Sequence, residues 1–131
     1  MPLDPAAIAQ RHGIRPGTTD TVGRAAARLK TTARMLRYRE SLGLVQPGRT
    51  GGNYRSYDAT NLLALAVGAE LEARYGVPPA ALAFALRALE DDRIAAELRT
   101  LTQLTRRPVQ STLDALGFET RKAQRLLRLA G

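Results

Sequence analysis

Arginine and tyrosine side chains crowd one short segment of this chain. Between Thr31 and Tyr57, the sequence TTARMLRYRESLGLVQPGRTGGNYRSY holds five arginines and three tyrosines but a single acidic residue, Glu40. A guanidinium can pair with two phosphate oxygens at once, and a tyrosine hydroxyl can donate a hydrogen bond to another. The segment therefore has the side chains of a surface that binds nucleic acid.

The net charge of the 131-residue chain is +8, and this charge is unevenly distributed. Residues 21–57 carry a net charge of +7, whereas residues 58–104 carry −3 and residues 105–131 carry +4. Concentrated positive charge attracts DNA whatever its sequence. A solvated charged face is the alternative interpretation, and the ordered motifs around these arginines favour DNA binding over it.

The composition also excludes several classes of function. The chain has no cysteine and a single histidine, His12, so disulfides, thiolate zinc sites and iron–sulfur clusters are excluded. No nucleophile–base arrangement, phosphate-binding loop or metal-ligand cluster stands out, so we expect no catalytic residues, no metal and no cofactor. No window approaches the roughly 18 apolar residues of a membrane span, and we expect a cytoplasmic protein with no membrane partner.

The elements that must position the arginines are mostly helical. Aromatic residues make up only 5% of the chain, and Ala and Leu dominate its apolar residues, which favours helices packed on helices. The spacing predicts a helix over residues 22–30 and a second that begins after the cap residue Thr32 and stops at Gly43. Extended runs at residues 44–46 and 53–57 flank the turn sequence PGRTGG and predict a hairpin.

We therefore predict a mainly α fold: a winged helix-turn-helix with a small β-hairpin wing, followed by a helical C-terminal region. Asp4 and Pro5 predict a short helix before it, and Asp58 is expected to cap a longer helix that ends at Gly76. Pro108 is expected to interrupt the last helices. Three regions result: an N-terminal extension (residues 1–20), a DNA-binding domain (21–90) and a helical dimerisation or tail region (91–131).

Individual roles follow from this fold. The N-terminal side chains of the second helix face base edges, and we assign Arg34 to base reading because its fork matches the two acceptors of guanine; a phosphate contact is the alternative. Tyr54 has two interpretations, packing within the wing or DNA contact. The complete set of predicted DNA-binding residues is Arg24, Thr32, Arg34, Arg37, Tyr38, Arg39, Arg49, Asn53, Tyr54, Arg55 and Tyr57.

The same residues resemble the N-terminal domain of the MerR family of transcriptional regulators. That family's first helix has the form I-G-E-x-A, followed by V-S-x-x-T-L-R-Y-Y-E-x-x-G-L-L-x-P-x-R and then G-Y-R-x-Y. This chain has VGRAA at 22–26, TARMLRYRE at 32–40, GLVQPGR at 43–49 and NYRSY at 53–57. The spacing between the blocks is kept, and the resemblance covers residues 22 to about 90.

The resemblance implies a bacterial transcription regulator that binds double-stranded DNA at a promoter and acts on RNA polymerase. Family members usually continue into a long helix that pairs antiparallel with its mate, which implies a homodimer on an inverted repeat. Here the pairing residues would be Ile94, Leu98, Leu101 and Leu104, whose spacing also suits a stripe packed on the protein's own core.

Three residues depart from the family pattern. Lys30 stands in place of the turn glycine, so the turn must either avoid a left-handed residue or tolerate its strain. Asn53 replaces the wing glycine, and asparagine tolerates positive φ better than most residues. Arg39 replaces the second tyrosine of the pair and is expected to add a charged phosphate contact.

Two other functions are compatible with these motifs. An architectural protein of the excisionase kind would share the winged fold and bend DNA at tandem rather than inverted sites. A protein-interaction module would bind its partner through the helical half, and neutralising Arg37 and Arg55 would leave its function intact.

Overall fold

The computed structural model describes residues 1–106 and 109–130, so the predicted break at Pro108 lies outside the described residues. The chain forms two compact units, Met1–Leu86 and Arg87–Gly131. The first unit holds α1 (Pro5–Arg11), β1 (Thr19–Asp20), α2 (Val22–Arg28), α3 (Ala33–Ser41), β2 (Gly48–Arg49), β3 (Arg55–Asp58), α4 (Ala59–Tyr75) and the greater part of α5 (Pro79–Glu90). The second unit begins with the end of α5 and contains α6 (Asp92–Arg106) and α7 (Val109–Ala130).

Short-range hydrogen bonds set the helix ends where the sequence predicted them. The Thr32 hydroxyl accepts from the backbone N–H of Met35 at 3.1 Å, which caps α3. Asp58 and Asn61 form a reciprocal capping box at the start of α4, with N···O distances of 2.8 and 3.0 Å. Gly76, with a φ of 63°, ends α4 in the left-handed conformation that suits glycine. The predicted helix between Asp58 and Gly76 is confirmed.

The core of the first unit is built around three fully buried side chains, Leu36 of α3, Tyr57 of β3 and Leu62 of α4. Ala25 and Ala26 are buried on α2, and small side chains let α3 approach α2 closely. Leu36 therefore anchors α3 from within, which leaves the rest of that helix free to carry polar residues.

Residues 1–20, predicted as an N-terminal extension, belong to the same compact unit as the helix-turn-helix. Ile8 and Ile14 are buried in the core. Strand β1 pairs antiparallel with β3, with Asp20 opposite Tyr57, so the sheet has three strands in the order β1-β3-β2 and not the two of a simple wing. The buried carboxylate of Asp20 accepts a hydrogen bond from Arg28 Nε at 2.7 Å, which ties β1 to α2.

The first strand of the wing also differs from the prediction. It consists of Gly48–Arg49, paired with Arg55 and Ser56 of β3, and not of residues 44–46. Val45 is instead buried in the core, since an aliphatic side chain is more stable there than in a two-sided solvated hairpin. A second boundary, which the sequence left open, lies at Asp91, whose side chain accepts from the backbone N–H groups of Arg93 and Ile94 and so starts α6.

Lys30, in the turn between α2 and α3, has a φ of 56°. The turn therefore keeps its left-handed residue, and the lysine tolerates the strain.

We expect Lys30→Gly to raise the free energy of unfolding by about 1 kcal/mol, because a side chain in this conformation costs roughly that much. Urea denaturation measures the change. Lys30→Ala is the matched control, since it removes the charge but keeps the strain. Equal stabilisation by both variants would assign the effect to charge.

Candidate nucleic-acid interface

Helix α3 exposes two of its three arginines, while Leu36 holds it to the core. Arg34, in the first turn, and Arg37, one turn later, are both exposed, and Tyr38 is 44% exposed. Residues three and four apart lie on one side of a helix, so Arg34, Arg37 and Tyr38 share a face. Neither arginine makes an ion pair within residues 1–106. Both guanidinium groups are available to an external anion.

The turn of the wing is stabilised by its own backbone. The N–H of Thr50 donates to the carbonyl of Tyr54 at 2.9 Å, and the N–H of Asn53 donates to the carbonyl of Thr50 at 2.8 Å. Asn53 has a φ of 64°, which confirms that asparagine takes the place of the expected glycine there. Tyr54 is 73% exposed. A Cβ at Gly52 would lie 3.2 Å from its ring, so the ring packs beside the turn of the wing and is also accessible from outside.

A cleft of about 210 Å³, here called the helix–wing cleft, lies between the start of α2, helix α3 and the wing. Its walls bring together five of the predicted DNA-binding residues with two residues that the prediction missed. The lining residues are Thr21, Val22, Arg37, Arg49, Asn53, Tyr54 and Arg55. Arg34 and Arg24 are exposed outside this cleft, and Thr32 is exposed at the cap of α3 with its hydroxyl oxygen engaged by Met35.

Glu40 connects helix α3 to both strands of the wing. Its Oε2 lies 2.5 Å from Arg55 Nε, and its Oε1 lies 3.6 Å from Arg49 Nη2. The hydrogen bond from Arg55 to Glu40 raises the pKa of Arg55 above its ordinary value. The Glu40 carboxylate offsets part of the positive charge of the basic segment, and its two ion pairs orient Arg49 and Arg55 at the cleft. No role was assigned to Glu40 from the sequence. The signal that could have identified it as a partner of these arginines is that it is the single acidic residue of the basic segment.

Arg39 does not face outward, which corrects its assignment to a phosphate contact. Arg39 Nη2 lies 2.5 Å from Glu72 Oε1 on α4, and each side chain is only 11% exposed. The guanidinium already has a buried partner, and leaving that carboxylate unpaired would be costly. Arg39 therefore holds the C-terminal part of α3 against α4.

Tyr57 is fully buried and is likewise unavailable to DNA, contrary to the prediction. Its hydroxyl has no hydrogen-bond partner among the described residues. Burial, as the largest cause, raises the pKa of Tyr57 above its ordinary value of 10.0. The alternation of β3 explains the result: Tyr57 points into the core while Asp58 is exposed.

Tyr57→Phe is expected to leave DNA binding unchanged and to change the free energy of unfolding by less than about 1 kcal/mol, because only an unpartnered hydroxyl is removed. Above pH 10 the two proteins should diverge. The unfolded tyrosine ionises near pH 10 while the buried one resists, so the wild type loses stability as pH rises past that value. Urea denaturation at pH 8 and at pH 10.5 tests this, and identical pH slopes would contradict it.

Within the described parts of the chain, no group of three or more His, Cys, Asp or Glu residues could hold a metal ion. Among the described helices, none is long and apolar enough to cross a membrane.

A helix-turn-helix whose second helix is tied to a β-hairpin that carries two arginines and an exposed tyrosine defines the class of winged helix-turn-helix proteins. Within that class, residues 21–57 match the model of the MerR family regulatory protein. The match covers the helix-turn-helix and the wing, so the resemblance predicted from the sequence is confirmed over this segment.

One solved structure similar to this chain is that of HiNmlR, a MerR family regulator lacking the sensor domain, bound to promoter DNA. The two chains are 20% identical, the match covers 84% of this chain and 79% of that one, and the TM-score is 0.45. No curated protein matches the sequence.

Proposed function

We propose that this protein is a sequence-specific DNA-binding transcription regulator of the MerR type, acting as a homodimer on an inverted repeat at a promoter. The observation that carries the proposal is the helix–wing cleft, where Arg37 of α3 meets Arg49, Tyr54 and Arg55 of the wing inside the family-matched segment. A surface with this charge and these donors suits a DNA backbone.

The proposal divides the basic residues by position. Arg34 is exposed in the first turn of α3, the part of a recognition helix that reaches base edges, and we assign it to base reading. Arg37, Arg49 and Arg55 border the cleft and are assigned to phosphates. Arg24 and Tyr38, both exposed, supply further backbone contacts under this proposal.

The dimer is proposed from helix α6. Ile94 and Leu98 are half-buried, whereas Leu101 and Leu104 are 56% and 48% exposed. All four lie within one side of the helix because their spacing follows the helical repeat. Exposed leucines at this spacing favour a second copy as their partner. RNA polymerase is the further partner that we propose, since promoter binding by a regulator acts through it.

The proposal is tested by selecting binders from sheared genomic DNA of the source organism at two salt concentrations. We expect enrichment of an inverted repeat that overlaps a promoter. Arg37→Ala should weaken enrichment, whereas the matched control Arg93→Ala, which removes the same charge from an 87% exposed side chain on α6, should not.

Salt-sensitive binding without sequence enrichment, or enrichment of tandem sites, would point to the architectural function instead. Unaltered function after neutralising Arg37 and Arg55 would support the protein-interaction module.

Dimerisation gives a separate prediction. Leu101→Glu with Leu104→Glu should shift sedimentation equilibrium from dimer to monomer, because two charges would be buried at the seam. Ala96→Glu with Gln103→Glu is the matched control, since both residues are exposed on the opposite side of α6. A monomeric wild type, or monomers from both double variants, would contradict the assignment of this seam.

A further inference from the structure

Three arginines of α7, here called the arginine row, lie on one face of that helix. Arg121, Arg125 and Arg128 are exposed, and residues three and four positions apart share one side of a helix. With a rise of about 1.5 Å per residue, the row is about 10 Å long. Residues 120–131 include four basic residues and no acidic one. This part of the sequence therefore supplies no negative charge to offset the row.

The arginine row has no counterion among the side chains that the structure describes. The ion pairs of the described residues lie elsewhere, and none of them includes Arg121, Arg125 or Arg128. Like charges three and four residues apart on a helix repel each other and lower its stability. The row is therefore unfavourable in the free protein, and a polyanion bound along it would relieve the repulsion.

The apolar face of α7 lies opposite the arginine row. Leu116, Leu126 and Leu127 are 61%, 59% and 73% exposed. Successive residues of a helix are about 100° apart, which centres these leucines on the side away from the arginines. Lys122 and Leu129 lie between the two faces. A protein surface that covered the leucines would leave the arginines facing outward, so the row is not needed to pack α7.

This arrangement favours DNA over an anionic membrane as the partner of the row. A helix that binds at a membrane inserts its apolar face among the lipids and keeps basic residues near the headgroups, along the edges of that face. The arginine row lies opposite the leucines and would point away from the lipid. DNA sets no such requirement, since it presents about one negative charge per 1.7 Å of its axis, and a guanidinium can pair with two phosphate oxygens.

We propose that the arginine row of α7 is a second DNA-binding surface, formed by different residues from those of the helix–wing cleft. The row lies outside the family-matched residues 21–57. It contacts phosphates, so it adds affinity for any sequence without discriminating between sequences. The choice of DNA as the partner rests on the proposed function. The protein then holds DNA with two basic surfaces, of which only that of α3 reads bases.

The test is fluorescence anisotropy of the full chain over a salt series, with scrambled duplexes and with operator duplexes that carry about two helical turns of flanking DNA on each side. The variant Arg121→Ala, Arg125→Ala, Arg128→Ala should bind both duplexes about tenfold or more weakly at physiological salt. Its slope of log affinity against log salt should be lower by about two to three units, since each lost phosphate contact contributes about 0.9. The ratio of the two affinities should not change.

Two further triple variants serve as controls. Lysine at the same three positions (Arg121→Lys, Arg125→Lys, Arg128→Lys) keeps the charge and should retain most of the affinity. A second variant removes three like charges from exposed positions on α6 and should change neither affinity nor slope. Its substitutions are Arg93→Ala, Arg99→Ala and Arg106→Ala. All the substituted side chains are exposed, so each variant should fold, which circular dichroism checks.

Equal affinity and slope for the wild type and the alanine variant of the row would overturn the proposal. An equal loss from the α6 variant would also overturn it, because only the net charge would then matter. If the alanine variant of the row loses binding to phosphatidylglycerol vesicles but keeps its DNA binding, the row binds a membrane instead.

The proposed function is measured separately in the same experiment. A wild type that does not prefer the operator to the scrambled duplex would contradict sequence-specific regulation. The difference in slope between the wild type and the alanine variant would still decide whether the arginine row binds DNA.

Discussion

Replacing Glu72 with alanine is expected to lower the free energy of unfolding by about 3 kcal/mol or more, because it leaves the Arg39 guanidinium buried without its partner. Arg39 and Glu72 are each 11% exposed, so solvent can compensate little of the lost interaction. The change is measured by urea denaturation, and the same variant should weaken DNA binding indirectly by loosening α3.

Glu70→Ala is the matched control, since Glu70 lies on the same helix and pairs with Arg74 and Arg11 while 29% exposed. Its loss should cost less than about 1 kcal/mol. The double variant Arg39→Leu with Glu72→Leu should recover most of the stability, because two apolar side chains leave no unpaired charge. If Glu72→Ala and Glu70→Ala lower the free energy of unfolding by the same amount, the ion pair of Arg39 and Glu72 has no special structural role.

Replacing Arg34 and Arg37 together by alanine is expected to reduce affinity for the selected operator by a factor of about a hundred or more at physiological salt. The single variants should differ in kind. Arg34→Ala should weaken the free energy of binding to the operator by about 1–3 kcal/mol and relax specificity at one base pair. Arg37→Ala should weaken binding to all sequences alike and lower the slope of log affinity against log salt by about one unit.

Fluorescence anisotropy over a salt series with operator and scrambled duplexes separates these effects. Arg93→Ala removes a charge of the same sign from the surface of α6 and should change neither affinity nor slope. A uniform loss from Arg34→Ala, with unchanged specificity, would reassign Arg34 to a phosphate. An effect of Arg93→Ala as large as that of Arg37→Ala would mean that only the net charge of the chain matters.

The helix-turn-helix and the wing could be predicted because their signals are local. The cap residues Thr32 and Asp58 act through hydrogen bonds to amides three positions away, and Gly76 ends α4 through its own backbone conformation. The positive φ of Asn53 follows from the same kind of local preference. These features need no knowledge of the rest of the chain.

The functional side chains were predicted less completely, because the sequence shows charge but not its partner. Arg34 and Arg37 are exposed as expected, whereas Arg39 pairs with Glu72, 33 residues away in sequence. Tyr57 of β3 lies opposite Asp20 of β1, and its side chain is buried in the core. A motif that places arginines and tyrosines close together in sequence cannot tell which of them have long-range partners.

By itself, then, the sequence determined the order of elements, the ends of the helices near the wing and the location of the basic segment, since each depends on neighbours a few residues apart. Only the tertiary structure decided which cations are free, that residues 1–20 complete the sheet and core, and that Glu40 joins the helix to the wing. Those results depend on contacts such as Asp20 with Arg28 and Arg39 with Glu72. A side chain's role changes when burial removes it from water and a distant residue neutralises it.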